Sequence, residues 1–198
     1  MSFLESIQLK NGQIQNLAYH QSRLELTVAA SGGFPRKWNL KELLDQYPLP
    51  ETGHYKVRVV YTTKTIEVSW QAYQIRPVHS LKVVQADQID YTFKNIDRSE
   101  LQALFAQRAT ADDIIICKNG RITDSYYANL AFYKEGNWYT PDQPLLKGTK
   151  RQQLIDRDVI SSIPIKIEDL PSFKKVALIN AMIDLEDKVW VDPGNIYF

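Results

Sequence analysis

YTFKNIDRSELQAL, residues 91–104, sets a lysine, Lys94, behind Tyr91 and Phe93 and ahead of a polar turn that leads into an amphipathic helix. Leu101, Leu104 and Phe105 share one face of that helix, and Ser99 is expected to open it. Lys94 therefore stands where an extended segment gives way to a helix. Two readings are open. A solvated loop lysine is the commoner fate of this residue type, whereas a desolvated amine has a lowered pKa and acts as nucleophile or base.

Toward the N-terminus, FLESIQLKNGQIQNL (residues 3–17) alternates on both sides of Asn11-Gly12, a type I′ turn pair, and predicts a β-hairpin. AYHQSRLELTVAA (18–30) has Leu24 and Val28 at helical spacing and stops at Ser31-Gly32-Gly33. A second helix is expected from Leu40 to about Tyr47, ended by Pro48 and Pro50. YKVRVVYT and IEVSWQAYQI alternate with period two and predict an antiparallel pair joined by TTKT, with LKVVQ (81–85) as a further strand.

Toward the C-terminus, DDIIICKNGRITDS predicts a hairpin about Asn119-Gly120, and NLAFYKEGNWYTP two strands about Glu135-Gly136. GTKRQQLIDRDV reads as a helix, IPIKIEDL as strand-like, and KKVALINAMIDLEDKVWVD as mostly extended. Hairpins interleaved with a few helices argue for α+β and against a doubly wound parallel sheet.

At 198 residues and 44% hydrophobic content the chain can bury one domain or two small lobes. Lys and Arg total 24 against 23 Asp and Glu, so a net charge of +1 lends no support to nucleic-acid binding. The single cysteine, Cys117, excludes an internal disulfide and a multi-cysteine zinc site, and His20, His54 and His79 lack metal-ligand spacing. The expectation is a soluble, cytoplasmic protein with no metal, since no window approaches a membrane span and the N-terminus lacks a targeting pattern.

Three further positions attract attention. Asp124 follows the strand RIT and precedes Asn129 by five residues; it either ends the strand or faces a cation in a pocket. Gly148 and Thr149 open a helix, where backbone N–H groups and the dipole favour an anion, as at many helix starts. Arg23 in YHQSRL is either a surface residue or an anion ligand.

Taken in order, these pieces resemble the class IV aminotransferases, the pyridoxal-phosphate (PLP) enzymes of fold type IV. That family includes branched-chain and D-amino-acid aminotransferases and 4-amino-4-deoxychorismate lyase. FLESIQLKNGQIQNL followed by HQSRL resembles the family opening F-E-T…G…H-x-x-R-L, which implies that Arg23 binds the cofactor phosphate. YTFKNIDRSEL resembles the segment whose lysine forms the Schiff base, a role that falls to Lys94. RITDSYYANLAF resembles the motif whose acid pairs with the pyridine nitrogen and is followed by an Asn, here Asp124 and Asn129. GTKR resembles the turn whose amides hold the phosphate, implying Gly148, Thr149 and Lys150. LINAMIDL resembles the second amide cup of the lyases, implying Asn180, Ala181 and Met182.

The resemblance implies two α+β lobes, about 1–85 and 86–198, with PLP between them, a small amino substrate, and a homodimer. The chain departs from the family in carrying Asp124 where Glu is usual and in a shortened first lobe. Arg58, Tyr61 and Arg76 are the candidates for substrate contact, an arginine being able to grip a carboxylate bidentately. INAM resembles the lyase cup more than the transferase TGTA, so release of pyruvate to leave 4-aminobenzoate is favoured over transamination. A PLP-binding protein that has lost catalysis is the reading of a different class.

Overall fold

The computed structural model describes residues 1–34 and 37–198, and its contacts divide the chain into two units. The first comprises Met1–Ile75 with Phe93–Asp97, the second Arg76–Thr92 with Arg98–Phe198.

In the first unit β1 (Phe3–Lys10), β2 (Gln13–Ile14), β3 (His54–Tyr61) and β4 (Ile66–Ala72) form an antiparallel sheet ordered β2-β1-β3-β4. The first turn is the expected one: Asn11 and Gly12 have φ of 49° and 75°, the left-handed pair that Asn-Gly tolerates at little cost. Helices α1 (Leu17–Ala30) and α2 (Leu40–Leu44) supply Leu24, Val28, Leu40 and Leu44 to a core with Val57, Val59 and Tyr61 of β3. Asn39 caps α2 by accepting from the N–H groups of Lys41 and Glu42, and the helix is shorter than its apolar pattern suggests.

The second unit holds two sheets. β5 (Leu81–Gln85), β6 (Asp113–Lys118) and β7 (Arg121–Ile122) form one with β13 (Ile196–Tyr197) in the order β13-β5-β6-β7. The other is β10 (Ile160–Ile163), β9 (Asn137–Pro141), β8 (Asn129–Lys134), β11 (Lys175–Ile179) and β12 (Trp190–Val191), in that order. Helix α3 (Ser99–Ala106) lies between β5 and β6 in the chain and α4 (Thr149–Asp156) between β9 and β10, and both strand pairs are parallel. β6 shows why: Ile114, Ile115 and Ile116 are all fully buried, the continuous apolar run of a strand covered on both faces. Most ladders remain antiparallel, and the architecture is α+β.

Beyond the shortened α2, local outcomes differ from the sequence expectations in two places. β5, expected in the first lobe, pairs with β6 in parallel and belongs to the second unit, where Leu81, Val83 and Val84 are buried. IPIKIEDL is not one strand: β10 ends before Pro164, which has no N–H to donate, and Ile167–Ser172 is a 3-10 helix. Helix α3 does begin at Ser99, behind Arg98 at the N-cap position, which makes no side-chain cap bond. Among the described residues no helix is long and apolar enough to cross a membrane.

Candidate active site

The core face of β1 carries Phe3, Glu5, Ile7 and Leu9, so a carboxylate stands where the pattern demands an apolar side chain. Glu5 is held there by α1. Arg23 Nε donates to Glu5 Oε1 at 2.9 Å, Arg23 Nη2 to Oε2 at 2.5 Å, and His20 Nδ1 lies 2.6 Å from Oε2. His20 and Arg23 are three residues apart and therefore share a helix face. Burial alone would push the Glu5 carboxyl up, but the Arg23 guanidinium and the His20 hydrogen bond outweigh it and hold the pKa at about 2. Burial lowers the His20 pKa against the pull of Glu5, aided by the charges of Arg23 and Lys94. A neutral imidazole donating to an ionised Glu5 satisfies both directions, so this contact is a charge-assisted hydrogen bond and not an ion pair. Sequence reasoning gives Glu5 no role, although it stands in the segment that resembles the family's F-E-T and is in phase with Phe3, Ile7 and Leu9.

Lys94 lies in the same unit, half-buried. Its carbonyl accepts from Leu4 N at 2.9 Å, Asn95 bridges to Phe3, and the Phe93 ring meets Phe3 edge-on at 6.2 Å. The start of β1 thus fixes the Lys94 backbone, while the next residue, Glu5, gathers Arg23 and His20.

The substrate candidates separate. Arg58 is half-buried on the β3 face opposite the core, between Ser6 of β1 and Ser69 of β4. Tyr61 is on the core face, 1% exposed, its ring 5.8 Å from Phe3; the period-two alternation that put Val57 and Val59 inward carries it inward too. Its hydroxyl has no hydrogen bond of good geometry, although Thr27 lies close enough to perturb it, and burial pushes its pKa up. Arg76 is exposed in an irregular segment of the second unit.

The second unit brings Asp124, Asn129 and Gly148 together. Asp124 is 5% exposed and pairs with Asn129 in an isolated bridge. Its Oδ1 accepts from Asn129 Nδ2 at 2.8 Å and its Oδ2 from Leu146 N at 2.9 Å. Asn129 Nδ2 also donates to Leu146 O at 2.9 Å, so one amide ties the acid to the loop before α4. Burial pushes the Asp124 carboxyl up to about 7, against these neutral donors and the more distant charge of Arg151.

Gly148 is the N-cap of α4, in extended conformation and with no side-chain cap. A Cβ at Gly148 would fall 1.9 Å from Asn129 Oδ1, so only glycine lets the helix start this close to the acid's partner. Gly148→Ala is expected to lower stability by about 1–3 kcal/mol, the usual range for overpacking, and to weaken cofactor binding through Asn129. Thermal unfolding and a cofactor titration check both effects.

Thr149 and Lys150, both buried, form the first turn of α4. The Lys150 ammonium is turned into the fold, 2.6 Å from Asp184 Oδ2 and 2.9 Å from Gln153 Oε1, which links the helix start to the 180–187 turn. In that turn Asn180 Oδ1 accepts from Met182 N at 2.8 Å, and Asn180 N donates to Ile183 O at 3.0 Å. Two of the three N–H groups expected in the second cup are therefore spent inside the turn, leaving Ala181 as the one it does not use among the described residues.

The donor set fits PLP. Asp124 is a buried carboxylate with no Lys or Arg at ion-pair distance among the described residues, and a protonated ring nitrogen is its natural complement. The uncapped start of α4, two residues beyond the Leu146 N–H that Asp124 accepts from, suits a phosphate dianion.

Comparison with known proteins agrees with this chemistry. The sequence profile of the family described as "Amino-transferase class IV" matches residues 2–185. An uncharacterized protein from Haemophilus influenzae is 37% identical over 181 residues, covering 90% of this chain and 96% of its own. A Haemophilus somnus crystal structure provisionally named 4-amino-4-deoxychorismate lyase is 31% identical with a TM-score of 0.85, covering 91% of this chain and 96% of that one. An aminotransferase from Brucella abortus, solved with PLP bound, shares the fold at a TM-score of 0.76 and 14% identity, covering 96% of this chain and 79% of that one. The chain belongs to the class IV aminotransferases, a family of PLP-dependent enzymes.

Proposed function

We propose that this enzyme splits 4-amino-4-deoxychorismate into 4-aminobenzoate and pyruvate. The observation that carries the reading is the 180–183 turn, closed by the Asn180 side chain on Met182 N within the lyase-like segment INAM. Likeness to the Haemophilus somnus protein over 91% of this chain supports it.

PLP, when bound, supplies an electron sink for the electron pair left at the amine-bearing carbon. Lys94 Nζ would hold the cofactor covalently and would serve as the base for the proton on the amine-bearing carbon. Asp124 holds a proton on the ring nitrogen, with Asn129 fixing the carboxylate's direction. Arg23 and the N–H groups of Thr149, Lys150 and Ala181 bind the phosphate; Gly148 allows the approach, and Asn180 and Met182 shape the second cup. Arg58 and Arg76 are assigned to the substrate carboxylates, whereas buried Tyr61 supports the first core. A homodimer and a cytoplasmic location belong to the same proposal.

The test is direct. PLP-loaded enzyme given 4-amino-4-deoxychorismate is expected to yield 4-aminobenzoate and pyruvate in equal amounts. Amino transfer from a branched-chain or D-amino acid to a 2-oxo acid, with no 4-aminobenzoate, would replace the lyase by an aminotransferase. Protein that stays colourless after PLP is added would mark a degenerate member.

A further inference from the structure

Glu5 has no task in the chemistry above, yet it is the most elaborately bonded acid in the first unit. We infer that Glu5 is a positioning residue whose carboxylate sets the direction in which Arg23 presents its guanidinium to the cofactor phosphate. The inference rests on the phosphate role proposed for Arg23.

The geometry supports it in three steps. Nε and Nη2 of Arg23 both donate to Glu5, one to each oxygen, and this fork fixes the guanidinium plane and its rotation within that plane. By covalent geometry the edge bearing Nη1 then faces away from Glu5. Glu5 is in turn immobilised, since Oε2 also takes the His20 Nδ1 contact and the carboxylate is fully buried on a strand paired along its length with β3. The Arg23 side chain retains 15% exposure, so one part of this locked group reaches beyond the core.

Two effects of Glu5 on phosphate affinity oppose each other. Its negative charge offsets part of the attraction between Arg23 and a dianion, whereas its fork removes the rotational freedom that Arg23 would otherwise lose on binding. A phosphate ligand and its dephosphorylated form distinguish them. Dissociation constants of the apoprotein for PLP and for pyridoxal, read from cofactor absorbance and protein fluorescence, provide the comparison in the wild type, Glu5→Gln, Arg23→Gln and the double variant.

If Glu5 positions Arg23, Glu5→Gln weakens PLP about tenfold or more and shifts pyridoxal less than about twofold, and the double variant binds PLP no worse than Arg23→Gln alone. Equal weakening of both ligands means that Glu5 only supports the fold, and tighter PLP binding means that its charge dominates; either result overturns the inference. Should Glu5→Gln fail to fold, Glu5→Asp, which keeps the charge but withdraws it by one methylene, is read in the same way. An unchanged PLP-to-pyridoxal ratio in Arg23→Gln would instead remove Arg23 from the phosphate site, and the inference with it.

Discussion

Lys94→Ala is expected to abolish the proposed 4-aminobenzoate formation, by about 10⁴-fold or more, and to remove the long-wavelength absorbance of PLP-loaded wild type. The size follows from asking one amine to serve as attachment point and as base. The fold should survive the change: Lys94 is half-buried, and its carbonyl accepts from Leu4 N, a contact made by the backbone. Alanine retains that carbonyl. Lys94→Arg separates charge from chemistry, because a guanidinium keeps the cation but does not deprotonate in proteins, so it is expected to be as inactive as alanine. Product assays, spectra and thermal unfolding of both variants form the check. Activity in either one would withdraw Lys94 from the reaction.

The second large effect concerns Asp124. Replacing it by Asn is expected to lower turnover about 10²–10³-fold, the scale for loss of one preorganised electrostatic contact. It should also change how stability depends on pH. In the fold the Asp124 carboxyl is raised to about 7 from an ordinary value of 3.8, so between these values the folded apoprotein binds a proton that the unfolded chain has released. Its contribution is therefore most favourable below the ordinary value and declines as pH rises toward 7, by about 4 kcal/mol in all at 1.36 kcal/mol per pKa unit. Asp124→Asn removes that decline, and a cation at the carboxylate offsets it. Unfolding curves of wild type and variant from pH 4 to 8, with and without PLP, should show PLP stabilising the wild type most at the upper end. A wild-type profile identical to that of Asp124→Asn would show that the buried carboxyl is not the titrating group.

Much of this site is readable before any fold is known. Asp124, Asn129, Gly148 and Asn180 stand in motifs whose roles come from the resemblance to the family, whereas the Asn11-Gly12 and Asn119-Gly120 turns come from a local preference for positive φ. Such features depend on residues a few positions apart, which is the range over which sequence patterns carry physical meaning. Glu5 is different. Its partners lie 15 and 18 residues away on a helix, and its charge state follows from a burial that β3 and α1 create together. The motif places a Glu at this position, but its partners and its charge state are not legible in the sequence.

The same distinction runs through the rest of the molecule. By itself the sequence determined the hairpins and the helix start at Thr149, because turn chemistry and periodicity act locally, whereas Lys94 stands out only through the resemblance to the family. Only the tertiary structure decided that β5 joins the second unit, that Met182 N is consumed by Asn180, that Tyr61 lies in the core, and that Arg23 is clamped by Glu5. Each of these depends on which distant segment covers a face or competes for a donor, and desolvation and hydrogen-bond competition are properties of the packed chain.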